Sequence, residues 1–369
     1  MKNFITSILM LLAVTACNSK APLQPTPVNP NATKEAVVLY RQLVTQINNG
    51  IMFGHQDDIV YGHSWKTDGV SDIKQTSNDF PAVFGWELGD LELGNAYSLD
   101  SVAFTEIEEG MKWVYKEGGI NTVSWHVNNP LTGGNSWDVS SKEVVASILP
   151  NGEKHENFIE MLDKVSDFFM TLKDENGNLI PFIFRPYHEH TGSWFWWGQD
   201  LCSTDDYISL WRFTVNYFNA KGLNNILYAY SAAGNFSSSA EFLERYPGDD
   251  LIDIIGVDIY QTSIEGKENY ITSTQNLLNI LTPIAKEKNK VSILAETGFE
   301  SIPDSTWWTE TLWTAIKDYP ISYVLLWRNA HDQPNHYYAP FPGQISADDF
   351  VAFKNQEKVL FLSDIKRKK

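Results

Sequence analysis

With 369 residues, 43% of them hydrophobic, the chain can bury a full core, and one large α/β domain suits this length better than several small ones. A formal net charge of -18 at pH 7 disfavours nucleic acid and anionic lipid surfaces, both of which need basic patches, and leaves a neutral ligand as the natural partner. The 13 Trp residues exceed what such a core requires, and flat rings are what pyranose faces stack on.

Met1-Lys2-Asn3 and the apolar run from Phe4 to Val14 read as a secretion signal, too short to span a bilayer comfortably. The run closes on Val14-Thr15-Ala16-Cys17, small residues before a cysteine, which resembles a bacterial lipobox. Residues 1–17 are therefore expected to be a lipoprotein signal, cut before Cys17, with Cys17 acylated and the membrane met only through that lipid. The expected location is the envelope of a Gram-negative bacterium. Asn18-Ser19-Lys20-Ala21-Pro22 lacks the acidic cluster that marks surface export in some lineages, which favours the periplasm. Residues 18–34, with Pro22, Pro25, Pro27 and Pro30, read as a flexible tether, and the folded domain as 35–369. With Cys17 lipidated, Cys202 has no partner, so no disulfide framework is expected and Cys202 reads as a small buried hydrophobe.

From residue 35 onward, short β-branched or aromatic runs alternate with amphipathic stretches. The strand candidates are Ile51–Gln56, Pro81–Gly89, Ile120–Val127, Pro181–Glu189, Asn225–Ser231, Ile252–Tyr260, Val291–Glu296 and Ile321–Trp327, nearly continuous apolar runs of the kind buried parallel strands show. Between them the spacing predicts helices over Phe104–Lys116, Asn157–Leu172, Asp205–Ala220, Thr274–Lys288 and Trp307–Lys317, with Asp205 and Ser273 as caps. Eight such units without a composition break imply a closed (β/α)8 TIM barrel in one domain. The alternative is a doubly wound open sheet, but no glycine-rich phosphate loop follows any strand.

Active sites of that barrel sit at the C-terminal strand ends. Read in order, those ends carry His55 and Gln56, Glu87 and Asp90, His126, His188 and Glu189, Ser231, Asp258 and Tyr260, Glu296, then Trp327 and Arg328. Glycoside hydrolysis needs one carboxyl to protonate the leaving oxygen and one carboxylate across the sugar, and Glu189 and Glu296 suit these two tasks. Tyr260 is placed to donate to Glu296. Arg185, four residues before Glu189 and facing inward, is expected to support the site by pairing with a carboxylate. Either glutamate alone reads equally well as a solvated strand end, whereas both together with His188 and Tyr260 do not. A metal site is the competing use of His126, His188 and His190. The two histidines of His188-Glu189-His190 should point to opposite sides of a strand, and neither HExxH nor CxxC occurs. No metal and no cofactor is expected, and no G-x-S-x-G elbow supports a serine hydrolase.

The segment Arg185-Pro186-Tyr187-His188-Glu189-His190-Thr191-Gly192-Ser193-Trp194-Phe195-Trp196-Trp197-Gly198 resembles the acid/base signature of glycoside hydrolase family 26, the β-mannanases. The resemblance implies a retaining enzyme on a (β/α)8 barrel, with the acid/base after the fourth strand and the nucleophile after the seventh. These positions fall on Glu189 and on Glu296 in Ala295-Glu296-Thr297-Gly298. It further implies substrate contacts from His188, Trp194, His126 and the Trp327-Arg328 pair, and support of the nucleophile by Tyr260. The implied substrate is mannan or galactomannan, cleaved at β-1,4 bonds by a monomer, in endo or exo fashion. Mixed-linkage β-glucan or β-1,3-xylan stays open as the substrate, as does a glycan-binding lipoprotein without catalysis. His331, His336, Tyr337 and Tyr338 follow the eighth strand without assigned roles.

Overall fold

The computed structural model describes residues 25–67 and 69–366. Cys17 and the signal expected around it lie outside the described residues, as does the first part of the expected tether. Its last part, residues 25–33, is tied to the barrel. Val28 N donates to Asp253 Oδ1 at 2.8 Å, Asn29 Nδ2 donates to Asn224 Oδ1 at 3.0 Å, and Arg41 Nε donates to Pro25 O at 3.1 Å.

Eight parallel strands close a barrel: β1 (Ile51–Gln56), β2 (Val83–Glu87), β3 (Ile120–Trp125), β4 (Phe182–Pro186), β5 (Ile226–Ala233), β6 (Ile254–Gln261), β7 (Val291–Phe299) and β8 (Tyr323–Leu326). β1 pairs with both β2 and β8, which shuts the ring. A ninth, β9 (Val359–Leu360), adds to the start of β1, and two residues are too few to register as a periodic run in the sequence.

The inner face changes character along its length. At the bottom, Met52, Val83, Ile120, Ile183, Leu227, Ile254, Val291 and Tyr323 form one apolar cluster with Ala36, Leu39, Tyr40 and Leu43. These last four are the buried stripe of helix Lys34–Gln46, which plugs the barrel floor. Each such fully buried large side chain is worth about 1.5–3 kcal/mol, so the floor can stabilise a barrel whose mouth is polar. Higher up the inward positions become Glu87, Ser124, Arg185, Ser231 and Asp258, all buried. Outward residues such as Phe53, Phe84, Val123, Phe184, Tyr228 and Val257 pack beneath the surrounding helices.

One irregularity sets the site. Val291, Ile293 and Ala295 belong to the inner cluster, so strict alternation would turn Glu296 outward. The register with β6 runs Val257↔Leu294 and then Asp258↔Glu296, leaving Ala295 unmatched. This one-residue bulge returns Glu296 to the barrel interior, level with Asp258.

Several sequence-based bounds need correction. β4 stops at Pro186, not Glu189, because proline has no N–H to continue the ladder, and Tyr187 and Glu189 turn left-handed at φ 50° and 54°. The cap of helix Thr204–Ala220 is Ser203, whose Oγ accepts from Asp206 N at 3.1 Å, with Asp205 in the first turn. Ser273 is no cap but interior to helix Lys267–Lys288. Its first two turns are rich in β-branched and polar residues of modest propensity, yet Tyr270, Ile271 and Thr274 are buried in line with Leu277 and Leu278, and packing overrides propensity. The stretch predicted as helix over Trp307–Lys317 opens as a π-turn, Trp307–Leu312, before one α-helical turn at Trp313–Ile316.

Candidate active site

The residues converge at the polar end of the barrel. Glu296 receives Tyr260 Oη on Oε2 at 2.8 Å and the Arg185 guanidinium on Oε1. Arg185 also donates to Asp258 Oδ2 at 3.0 Å and Ser231 Oγ at 3.2 Å. Burial alone would weaken the arginine's hold on its proton, but the Glu296 and Asp258 carboxylates outweigh it and keep the guanidinium charged.

Glu189, Asp258 and Glu296 each bring a carboxylate oxygen within 4.8 Å of the others, the one such grouping of three among the described residues. The cation in contact with it is Arg185, which already occupies two of the three carboxylates. One guanidinium cannot balance three anions in a buried site. Burial, and then like-charged neighbours, accordingly push Asp258 well above the usual carboxylate range and Glu189 up to about 7. Near neutrality a substantial share of Glu189 thus keeps its proton.

Glu189 stands on the left-handed turn after β4, where its Oε2 accepts from Trp194 Nε1 at 2.7 Å. His188 Nε2 is 3.9 Å from Glu296 Oε1, beyond direct hydrogen-bond range. Burial and then the Arg185 charge push its pKa well down, so its imidazole is neutral. The His188 ring meets His126 edge-on, centroids 4.6 Å apart. His126 Nδ1 lies 2.8 Å from Glu87 Oε2, and Glu87 also accepts from His126 N at 2.8 Å, Gly89 N at 2.6 Å and Ser124 Oγ at 2.6 Å. Burial would raise Glu87, but His126 and these donors lower it to about 2. In return Glu87 raises the pKa of His126 against its burial.

Aromatic rings border these groups. Trp137 stacks on His126 at 5.2 Å and 15°, and Trp327, half-buried, lies 6.2 Å from the same ring. Trp137 and Trp194 are 47% and 42% exposed, large flat faces left to solvent beside the carboxylates. Trp196 and Trp197 are buried instead, donating to Val127 O and His188 O.

Most of the residues singled out in the sequence therefore meet here: Glu189, Glu296, Arg185, His126, His188, Trp194, Tyr260 and Trp327. Arg328 stands apart from the acid pair. Its Nε lies 3.0 Å from Asp100 Oδ1, and its guanidinium carbon is 5.9 Å from the ring centre of Tyr61, whose Oη donates to Asp57 Oδ2 at 2.5 Å. His190 is excluded from the cleft, packed between Tyr207 and Tyr230. The two histidines do point apart, but through a turn rather than by strand alternation. Sequence reasoning marked Glu87 and Asp258 only as polar strand ends and gave no role to Asp57, Asp100 or Trp137. An indole following Thr132-Gly133-Gly134-Asn135-Ser136, a turn-forming run that no core would use, was the legible signal for Trp137.

The model of glycosyl hydrolase family 26 matches residues 28–355. A mannan endo-1,4-β-mannosidase of Bifidobacterium adolescentis is 30% identical over 355 residues, 90% of this chain, which spans 35% of that longer protein. A Bacillus subtilis protein of the same name is 28% identical over 305 residues, covering 79% of this chain and 78% of its own. Among solved structures, a GH26 β-mannanase from Bacteroides ovatus superposes with a TM-score of 0.88 at 48% identity, over 91% of this chain and 98% of that one. Since the family match runs through every barrel strand, the acid turn and the bulged β7 included, this chain belongs to glycosyl hydrolase family 26.

Proposed function

We propose that this protein hydrolyses β-1,4-mannosidic bonds of mannan and galactomannan with retention of configuration, Glu189 acting as acid/base and Glu296 as nucleophile. The carrying observation is the approach of their carboxylate oxygens to within 4.8 Å. An inverting pair stands about 6.5–9.5 Å apart to admit a water, whereas a retaining pair is separated by about 5–5.5 Å. The names of the relatives support mannan as the polymer.

In the first step Glu296 attacks the anomeric carbon while Glu189 protonates the departing oxygen, giving a glycosyl-enzyme. In the second step water attacks the anomeric carbon as the now ionised Glu189 takes its proton, and Glu296 departs into the two donors that hold it, Tyr260 and Arg185. His188, neutral and 3.9 Å from Glu296, is assigned to the sugar beside the reacting carbon, with His126 held by Glu87 next to it. Trp194, Trp137 and Trp327 offer stacking faces. Arg328 is assigned to a sugar further along the cleft.

The deciding assay is reducing-sugar release from mannan, mixed-linkage β-glucan and β-1,3-xylan in parallel. Mannan should be cleaved by far the fastest, and no release from mannan would overturn the proposal. Because Glu189 acts as an acid only while protonated, kcat/KM on mannan should fall tenfold per pH unit once pH exceeds about 7. A flat profile to pH 9 would contradict the assignment.

We also propose acylation of Cys17 and a periplasmic, membrane-anchored location, supported by the lipobox-like Val14-Thr15-Ala16-Cys17. Radiolabelled palmitate should enter the full-length protein and not its Cys17→Ala variant, and protease added to intact cells should leave it uncut. Equal labelling of both would refute the anchor.

A further inference from the structure

The proposed acid stands on a turn that an L-residue backbone disfavours, with two non-glycine residues, Tyr187 and Glu189, left-handed within three positions. Such a turn persists only where its surroundings hold it. Here its carbonyls are taken one by one by side-chain donors: Tyr207 Oη to Tyr187 O at 2.8 Å, Trp197 Nε1 to His188 O at 2.8 Å, Arg245 Nη1 to His190 O at 2.8 Å, and Asn235 Nδ2 to Thr191 O at 2.8 Å.

Arg245 differs from the others in reach and in charge. The same Nη1 donates to Trp197 O at 3.1 Å, Nη2 to Cys202 Sγ at 2.8 Å, and the guanidinium lies 4.0 Å above the Tyr207 ring. It is 2% exposed, and among the described residues no carboxylate forms an ion pair with it. Burying an unpaired guanidinium is expensive, and here its charge is directed at carbonyls. Those carbonyls belong to two segments that must agree for the acid to work. One is the turn carrying Glu189, and the other, around Trp197, anchors the loop whose Trp194 indole donates to Glu189 Oε2 at 2.7 Å.

We infer that Arg245 is a positioning residue for the general acid, locking the Glu189 turn to the Trp194 loop. The inference rests on Glu189 being the acid of the proposed hydrolysis. Proton delivery needs the carboxyl within about 2.6–3.2 Å of the leaving oxygen, and a displacement near 1 Å costs on the order of 10²-fold in rate.

The test compares mannan, whose leaving sugar needs a proton, with 2,4-dinitrophenyl β-mannobioside, whose phenolate leaves without one. Arg245→Met should lose about 10²-fold in kcat/KM on mannan and less than about 3-fold on the aryl substrate. The ratio of the two rates in one preparation does not depend on how much of it is folded, so partial misfolding cannot imitate the result. Arg245→Lys, which keeps the charge but not the fork, should recover only part of the mannan activity. Equal losses on both substrates, or an Arg245→Met enzyme as fast as wild type on mannan, would overturn the assignment. Wild-type protein inert on both substrates would overturn the hydrolase reading and this one with it, a pattern distinct from either.

Discussion

Glu296→Ala is expected to lower kcat on mannan by about 10⁴-fold or more, the scale of loss when a covalent nucleophile is removed. The shortened side chain leaves Tyr260 and Arg185 aimed at an empty volume, two donors arranged for an anion. Azide should therefore enter that volume and attack the anomeric carbon from the face Glu296 used, with Glu189 still present to protonate the leaving group. Turnover should recover in part and the product should be an α-mannosyl azide, which NMR of the product identifies. A β-azide would place the missing group on the other face and contradict the role of Glu296.

Glu189→Gln removes the proton but keeps the shape and the acceptor for Trp194 Nε1. Mannan hydrolysis should fall by about 10³-fold, within the range general acid catalysis supplies. With a 2,4-dinitrophenyl leaving group the first step should be nearly intact while the second, deprived of its base, becomes slow. A stopped-flow burst of one phenolate per enzyme should then precede a low steady rate, and azide should relieve that rate as a β-mannosyl azide. Because the glutamine cannot titrate, the fall in activity above about pH 7 should vanish with it. Comparable losses on both substrates with no burst would argue that Glu189 acts on structure and not on the proton.

The barrel was legible because parallel strands buried on both faces leave continuous apolar runs, and each of the eight expected segments overlaps one strand, with β5, β6 and β7 running one to three residues further than expected. Their ends were less so. Pro186 terminates β4 before the acid, and the acid turn relies on donors from Tyr207, Asn235 and Arg245 that no local pattern links to it. The bulge that turns Glu296 inward consists of one extra small residue, Ala295, and a single insertion of that kind has no compositional sign. Glu189 and Glu296 were visible because ionisable groups rarely follow so directly on a continuous apolar run, although β4 ends three residues before the one and β7 runs three residues past the other. That Arg185 serves Asp258 as well as Glu296 was not, since 73 residues separate the pair and only barrel closure brings them together. Arg328 is the instructive case. Its place beside Trp327 was readable, but its partner Asp100 lies in an irregular loop after β2, where periodicity carries no information.

Two carboxylates close enough for a double displacement carry the mechanism, and the anomeric form of the first product reports on it directly. NMR of a mannan oligosaccharide digest, recorded before mutarotation equilibrates the ends, should show the β-anomer forming first. Initial accumulation of the α-anomer would mean single displacement by water and would contradict Glu296 as the nucleophile.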